Sequence, residues 1–366
     1  MTDCKMMKRI AIVPWDDSIK KDSVYIPRED GYKGTHVLFA EAFRSRGIEF
    51  HTIDCYEKLE DIDCFLFFSV NYKWYKEIMQ RNLLDRAFYC SAEPPVVVPK
   101  NTKEGYAKLL KWFGGILTWN YDLVDNRRIF KRNIPFDFVK RYGDVDYKDR
   151  KLITSISGNK TSDNENELYS EREKVIIWLE NNHKEDFDFY GTGWDSLLHP
   201  CYKGTVYDKC ITYHGYRFAI CFENSKNIRG YVTEKICDCL CSGIVPIYLG
   251  ADDVSLYIPK EAFIDYSEYS SLEDLYAYLK NMSEKEYMGY IDAAKKYVDN
   301  PNEEMFSADV LCREVIYAYE NCQADVAPGF SERVYVYKKY ILQATDKMLL
   351  NLRIKASKVK RKLRIE

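Results

Sequence analysis

The stretch Tyr216–Gly250, which reads YRFAICFENSKNIRGYVTEKICDCLCSGIVPIYLG, decides the fold of this chain. Its first part, Phe218–Phe222, is an apolar run of strand length, and a polar, turn-forming segment follows at Asn224–Gly230. Thr233 is a favourable N-cap, so the pattern predicts a helix over Glu234–Ser242. A glycine stops this helix and a second apolar run follows, which makes the stretch a strand–loop–helix–strand unit.

The start of the predicted helix is a candidate binding site for an anion. In open α/β folds, helix N-termini point toward the carboxyl edge of the sheet, where ligands bind, and their free N–H groups favour a phosphate. Lys235 lies in the first turn, which is unfavourable unless an anion lies beside it, so we expect it to bind a diphosphate. A carboxylate matches the two donors of a ribose diol, which is the role we expect for Glu234. An ordinary solvated Glu–Lys pair after a threonine cap explains the same two residues equally well.

The rest of the chain alternates between strand-length apolar runs and helical spacings, which indicates an α/β fold with largely parallel sheets. Because 366 residues exceed what one hydrophobic core usually serves, we expect two domains, joined by the polar linker Lys140–Arg150. The predicted domains are residues 1–145 and 146–330, followed by a helical tail over 331–366. The other predicted elements are the strands Arg9–Pro14, Glu49–Ile53, Asp63–Val70, Arg86–Cys90, Gly115–Thr118, Lys151–Ser157, Asp186–Tyr190 and Ile244–Leu249 and the helices Gly34–Arg46 and Leu168–Asn181.

Composition argues against several classes of protein. The net charge of −3 gives the whole chain no strong attraction to nucleic acid, and we expect no nucleic-acid partner. The 12 cysteines contain no CxxC pair and several lie in apolar stretches, which favours free thiols in a reducing compartment over disulfides or a zinc site. No apolar run approaches the ~20 residues of a membrane span, and the one near the N-terminus is too short for a signal sequence. We therefore expect a cytoplasmic protein without a metal site.

Three runs in a fixed order carry a resemblance to a known family. They are FENS at Phe222–Ser225, GYVTEK at Gly230–Lys235 and VPIYLG at Val245–Gly250. This order resembles the signature of the family 10 glycosyltransferases, the α-1,3/1,4-fucosyltransferases. The strong resemblance covers Tyr213–Leu279, and a weaker one extends over most of the remainder.

The resemblance implies a GT-B architecture, in which two Rossmann-like domains face a cleft. It also implies an inverting transfer of fucose from GDP-fucose to a hydroxyl of an N-acetylglucosamine-containing glycan, as in Lewis antigen-type chains. The acceptor would contact the N-terminal domain and the donor the C-terminal one. By position in the motif, the implied donor-binding residues are Asn224, Tyr231, Glu234 and Lys235, which would contact GDP-fucose, and Glu223, which would shape the sugar pocket or support it. The family also has an upstream basic residue, typically arginine, and Lys203 is our candidate for it, although lysine lacks the bidentate fork of arginine.

One carboxylate of the N-terminal domain is the candidate general base. Two prolines follow Glu93 and stiffen its loop, so Glu93 lies just beyond the carboxyl end of a predicted strand and faces the predicted cleft. It resembles the family's general base, and a solvated loop glutamate is the alternative. Asp16 and Asp17 follow the first strand and are candidate acceptor ligands, although turn residues are the safer interpretation. This arrangement requires no cofactor, and we expect a divalent cation, Mn²⁺ or Mg²⁺, at most to stimulate transfer.

The C-terminal tail has the composition of a basic amphipathic helix. Apolar residues recur at helical spacing from Ser331 onward, and lysines and arginines crowd the stretch 353–364. Such helices lie on anionic membrane surfaces, so we expect reversible attachment to the inner face of a membrane. A solvated or disordered end is the alternative.

Two other functions fit the same residues. The chain could transfer another GDP-linked deoxysugar, because the nucleotide motif specifies the sugar less than the nucleotide. It could also be a nucleotide-sugar- or glycan-binding protein that has lost catalysis.

Overall fold

The computed structural model describes residues 7–16, 18–27 and 32–362, and in the last helix it leaves the side chains of residue 347 and residues 349–362 undescribed. The strands are β1 Arg9–Val13, β2 Glu49–Thr52, β3 Cys64–Phe67, β4 Ala87–Ser91, β5 Gly115–Thr118, β6 Ile129–Lys131, β7 Lys151–Ile156, β8 Phe187–Tyr190, β9 Tyr216–Phe222, β10 Val245–Leu249 and β11 Ile264–Asp265. The helices are α1 Thr35–Arg44, α2 Tyr72–Gln80, α3 Lys103–Leu109, α4 Tyr169–Asn182, α5 Lys209–Tyr213, α6 Glu234–Ser242, α7 Leu272–Asn281, α8 Glu284–Asp299, α9 Glu303–Phe306, α10 Ala308–Asn321 and α11 Phe330–Lys362.

The strands form two parallel sheets. The first has six strands in the order β2-β1-β3-β4-β5-β6, and the second has five in the order β11-β10-β9-β7-β8. Strand order therefore reverses once in each sheet, between β1 and β3 in the first and between β7 and β9 in the second. Ligands of open α/β sheets bind beyond the carboxyl ends of the strands at such a reversal, which is called a topological switch point. Each sheet thus has one position at which a ligand is expected.

The predicted α/β class is confirmed, and several element bounds agree closely with prediction. Strand β5 and helix α6 have the predicted bounds, because an N-cap and a C-terminal glycine mark both ends of that helix. Strand β3 is shorter than the predicted Asp63–Val70. Strand β6 and helix α2 were not predicted.

The last two helices return to the first sheet, which the predicted domain boundaries do not anticipate. Helix α10 lies within the predicted C-terminal domain, yet its buried residues Leu311 and Val315 pack into the core of the first sheet. Helix α11 packs on α2, where Val336 is buried and Tyr335 contacts the ring of Trp112. An amphipathic pattern identifies a buried helix face but does not identify the sheet that covers it. The boundaries 1–145, 146–330 and 331–366 stay predictions.

Gly243 provides a test of how helix α6 ends. Its φ of 69° is left-handed, and a Cβ there would lie 2.8 Å from Cδ1 of Tyr142. We expect Gly243→Ala to lower the free energy of unfolding by about 1–2 kcal/mol, because a left-handed residue with a Cβ is strained. Gly289→Ala is the matched control, since no heavy atom lies within 4 Å of a Cβ on that helical glycine, and it should stabilise. Urea unfolding measures the free energy of unfolding of both variants. Equal effects of the two substitutions would contradict the role of Gly243 as the left-handed residue that ends α6.

Candidate active site

A cavity of about 260 Å³ lies at the switch point of the second sheet. The carboxyl end of β7 and the segment after it form one wall, and the end of β9 and the start of α6 form another. Residue 93 of the first half closes it from the opposite side. The polar and charged residues that line it are Glu93, Ser157, Lys160, Arg172, Lys209, Tyr213, Asn224, Glu234 and Lys235. Four cations and two carboxylates therefore meet in one cavity, which suits a multiply charged anion.

A buried carboxylate organises the start of helix α6. Glu223 is completely buried, and its Oε1 accepts from the backbone N of Thr233 at 2.8 Å. The hydroxyl of Thr233 donates to Glu223 Oε2 at 2.8 Å, and Nζ of Lys235 donates to the same oxygen at 3.0 Å. A buried ionised group is tolerated only when it is paired and hydrogen-bonded, and these contacts supply both conditions. Glu223 thus does not line the cavity and instead fixes the helix start and Lys235.

Lys235 and Glu234 keep their charges at the cavity wall. Burial by itself would lower the pKa of Lys235, but the carboxylates of Glu223 and Glu234 raise it above its usual value. Enclosure would raise the pKa of Glu234, but the ammonium groups of Lys235 and Lys209 hold it below its usual value. Lys209 in turn pairs with Asp238 at 2.8 Å. The helix start therefore presents a cation and a carboxylate side by side, 3.8 Å apart.

Glu93 faces this helix start from the first sheet. It follows β4, and Nδ2 of the buried Asn101 donates to its backbone oxygen at 2.7 Å. The side chain opens into the cavity, where the walls remove part of its water and raise its pKa above the ordinary 4.5. Glu234 and Glu223 raise this pKa further, whereas Lys235 and Lys160 lower it. The structure therefore brings Glu93, Glu234 and Lys235 into one shared space.

A second cavity of about 260 Å³ shares Lys209 and Glu234 with the first. Arg141 also lines it, and aromatic and aliphatic side chains make up much of its wall, together with three carboxylates besides Glu234. These residues are Tyr32, Phe136, Val139, Val206, Tyr207, Asp137, Asp208 and Asp238. Glu234 thus lies between a cationic cavity and a largely apolar one.

Lys203 lines neither of these two cavities, and its predicted role of neutralising the phosphates stays a prediction. Its Nζ lies 3.3 Å from Oδ1 of Asp188 on the edge strand β8, and its side chain is half exposed. The lining arginine is instead Arg172 on helix α4, whose Nη2 donates to the backbone oxygens of Phe222 at 2.7 Å and Glu223 at 3.0 Å. An upstream arginine is thus present at a different position from the one we predicted.

The signal for Arg172 was present in the sequence. It precedes the inward-facing Val175, Ile176 and Leu179 by three, four and seven residues, so it lies on the buried face of α4. A cation on the apolar face of a helix needs a partner, which is a reason to suspect function. Lys160 and Lys209 gave no comparable signal, because both lie in polar segments where lysine is common.

The other predicted residues lie elsewhere. Tyr231 is buried outside the cavity lining, packs on Trp119 with ring centroids 4.8 Å apart, and its hydroxyl accepts from Nδ2 of Asn224 at 3.4 Å. It therefore supports Asn224, which does line the cavity. Asp16 is exposed and accepts from the backbone N of Ser18 in a turn. Asp17 lies outside the described residues.

One further cluster holds the side-chain types that bind metals. Ligand atoms of Asp22, His51 and Cys55 lie within 4.8 Å of one another. Arg44 Nη2 lies 3.1 Å from Asp22 Oδ2 and 3.4 Å from His51 Nδ1, so a guanidinium already provides the positive charge there. This cluster reads as a polar network around Asp22.

Residues 147–325 match the family model for the C-terminal region of glycosyltransferase family 10 (fucosyltransferase). This segment is a family 10 glycosyltransferase domain. It contains β7 to β11 and the cavity walls that they form, and it confirms the predicted family. Within the described residues, no helix combines the length and the apolar character that crossing a membrane requires.

Curated relatives share the family 10 domain. The chain is 40% identical over 107 residues to an α-(1,4)-fucosyltransferase of Arabidopsis thaliana, which is 25% of each chain. It is 34% identical over 142 residues to human 4-galactosyl-N-acetylglucosaminide 3-α-L-fucosyltransferase 9, which is 35% of this chain and 39% of the relative. These matches therefore span only a quarter to two fifths of the relatives' own length.

The whole fold is also similar to a solved enzyme. The structure of an α1,3-fucosyltransferase with GDP-fucose superposes with a TM-score of 0.53, 16% identity, and coverage of 88% of this chain and 93% of the other. At that identity the likeness concerns the fold alone, and it confirms the predicted GT-B architecture around the family 10 domain.

Proposed function

We propose that this chain is an inverting α-1,3-fucosyltransferase, which moves L-fucose from GDP-fucose to a hydroxyl of an N-acetylglucosamine-containing glycan. The observation that carries the proposal is the shared cavity, in which Glu93 of the first half faces Lys235, Arg172, Lys209 and Lys160. The names of both curated relatives support fucose as the sugar, and the name of the human relative supports the 1,3 linkage and the acceptor. The structure named with GDP-fucose supports the donor.

The two cavities accommodate the parts of such a donor in order. The apolar walls of the second cavity suit a nucleobase, and its carboxylates suit the N–H donors of guanine. Glu234, which both cavities share, is placed to accept from the ribose hydroxyls. The diphosphate then lies among the four cations at the start of α6, and the fucose points toward Glu93.

Each part of the transfer has a residue in this arrangement. Glu93 takes the proton of the acceptor hydroxyl as its oxygen attacks the anomeric carbon of fucose. The new glycosidic C–O bond forms as the bond to the diphosphate breaks, and the bonding electrons leave with GDP. Cations and helix N–H groups stabilise the negative charge that develops on the leaving phosphate. Attack from the side opposite the leaving group inverts the anomeric carbon and yields an α-fucoside.

We expect Glu93→Gln to lower the rate constant of transfer by about 10²- to 10⁴-fold, because the amide cannot accept the proton. GDP affinity should change little, since the diphosphate contacts other residues. The pKa of Glu93 is raised above its ordinary 4.5, and the wild-type rate should fall as the pH decreases through that raised pKa. This fall should be absent from the pH profile of the variant. Stopped assays of fucosylated product across pH, with calorimetric titration of GDP, measure both effects.

Glu104→Gln is the control for Glu93, because Glu104 is an exposed glutamate of α3 in the same half of the chain. It should match the wild type in rate, pH profile and GDP affinity. Full turnover in Glu93→Gln would remove this residue from the mechanism.

Arg172 and Lys203 allow a direct comparison of two candidate phosphate ligands. Arg172→Lys should weaken GDP binding roughly tenfold, because lysine lacks the planar fork that the two carbonyl contacts hold in place. Lys203→Ala should leave GDP affinity within a factor of two, since this lysine pairs with Asp188 outside the cavity. Calorimetric titration of GDP into each variant measures this. A larger loss in Lys203→Ala than in Arg172→Lys would support the prediction made from sequence.

We retain the expectation that transfer requires no cofactor. Lysine and arginine supply the positive charge that a divalent cation supplies in other transferases, so Mn²⁺ or Mg²⁺ would at most stimulate.

Transfer of another GDP-linked deoxysugar is the alternative, because the residues assigned so far contact the nucleotide more than the sugar. A panel of GDP-sugars separates these two donors. Release of GDP only in the presence of acceptor separates an enzyme from a binding protein.

We also propose that the C-terminal tail attaches the protein to the inner face of a membrane. Val334, Ile341 and Met348 are spaced by seven residues and are 48%, 60% and 64% exposed, so they form an apolar stripe on the described part of α11. The helix continues through the basic residues of 353–362, whose side chains are not described, and Arg364 lies outside the described residues. Apolar stripes with basic flanks bind anionic lipid surfaces.

Deletion of residues 352–366 should abolish sedimentation with vesicles that contain anionic lipid, because it removes all the basic residues that follow the stripe. Vesicles of neutral lipid are the control and should bind neither form. Equal sedimentation of the full and truncated chains would contradict membrane attachment through the tail.

A further inference from the structure

An aromatic group lies at the switch point of the first sheet. Trp15 follows β1, Phe68 follows β3, and strand order reverses between these two strands. The rings of Trp15 and His36 have centroids 4.7 Å apart, and Phe68 meets both rings edge-on at 5.9 and 5.0 Å. The second sheet has its cationic cavity at the equivalent position. Because ligands of open α/β sheets bind where strand order reverses, a ligand is expected beside Trp15 as well.

This aromatic group is uncharged and open to solvent. Trp15 is 38% exposed, and Phe68 is partly exposed beside it. Burial lowers the pKa of His36 to about 4, and the cation of Arg132 lowers it as well, so the imidazole is neutral at physiological pH. An exposed aromatic face with a neutral support suits the C–H face of a pyranose ring better than it suits an ion.

A buried arginine connects the aromatic group to the strand that precedes Glu93. The guanidinium of Arg132 lies 5.6 Å from the ring of Phe68, and its Nη1 donates to the backbone oxygen of Ser91 at 3.4 Å. Ser91 ends β4, and Glu93 follows two residues later. Only β3 separates β1 from β4, so the ends of these strands are roughly 10 Å apart. The ends of the two strands that precede Trp15 and Glu93 are therefore separated by about the length of a disaccharide.

We propose that Trp15, supported by Phe68 and His36, stacks on a sugar of the acceptor that is adjacent to the sugar that receives fucose. This inference rests on the proposed function and adds the part of the acceptor that the first half contacts. It predicts that the protein prefers acceptors of at least two sugars, because a monosaccharide at Glu93 cannot reach Trp15. Trp15 is then a specificity residue and takes no part in proton transfer.

The test compares two acceptors, N-acetyllactosamine and N-acetylglucosamine, on wild type and variants. Trp15→Ala should raise the KM for the disaccharide roughly two- to tenfold, which is the range for a lost aromatic stacking contact, and leave kcat and the KM for GDP-fucose unchanged. The KM for the monosaccharide should not change. Trp15→Phe should retain most of the affinity for the disaccharide, because it keeps an aromatic face.

Tyr317→Ala is the matched control, because Tyr317 is a 49% exposed aromatic residue on α10, away from the strand ends. Binding of N-acetyllactosamine to the GDP-loaded protein, measured by calorimetric titration, provides a readout that does not require transfer. Weaker binding in Trp15→Ala and unchanged binding in Tyr317→Ala support the proposal. Equal affinities in these two variants, equal losses for both acceptors, or no binding of the disaccharide by the wild type would overturn it. Failure of fucose transfer with intact, Trp15-dependent disaccharide binding would instead reject only the proposed reaction.

Discussion

The ionised carboxylate of Glu223, buried without access to water, is the constraint on which the site depends. A charge in that position must be matched by donors on every side, and the backbone and hydroxyl of Thr233 and the ammonium of Lys235 supply them. These contacts lock the first turn of α6 against the end of β9. The start of the helix then lines the cavity with a cation already in place. The FEN and TEK runs of the sequence thus contain the two partners of one buried ion pair, Glu223 and Lys235.

The two sheets use the same geometry for different purposes. Each has a single reversal of strand order, and each reversal opens a crevice at the carboxyl ends of the strands. In the second sheet the crevice is lined with cations, which suits a diphosphate. In the first sheet it is lined with uncharged rings, which suits the carbon face of a sugar. Glu93 lies at the carboxyl end of the first sheet and opens into the crevice of the second, where a donor and an acceptor would meet.

The helices after the second sheet explain how the halves are held together. Helix α10 buries Leu311, Cys312 and Val315 in the core of the first sheet, so the chain crosses between the halves a second time. Asn133 strengthens this crossing, since its backbone N donates to Glu314 at 2.8 Å. The ring of Trp119 also packs on Tyr231 in the loop between β9 and α6. Such contacts restrict the distance between Glu93 and the helix start, on which transfer would depend.

The amino-acid sequence by itself determined the local features of this protein. It specified the α/β class, the strand–loop–helix–strand unit, the bounds of α6 and the family, because caps, glycines and apolar periods act between residues close in the chain. Only the tertiary structure decided which distant side chains share a cavity. Arg172 lines the cavity beside α6, whereas Lys203, Tyr231 and Glu223 do not. Helix α10 packs on the first sheet, and Trp15 contacts Phe68. These outcomes depend on strand order and helix packing, which contacts between residues far apart in sequence establish. Local spacing placed Arg172 on the buried face of α4 but could not identify the cavity that it lines.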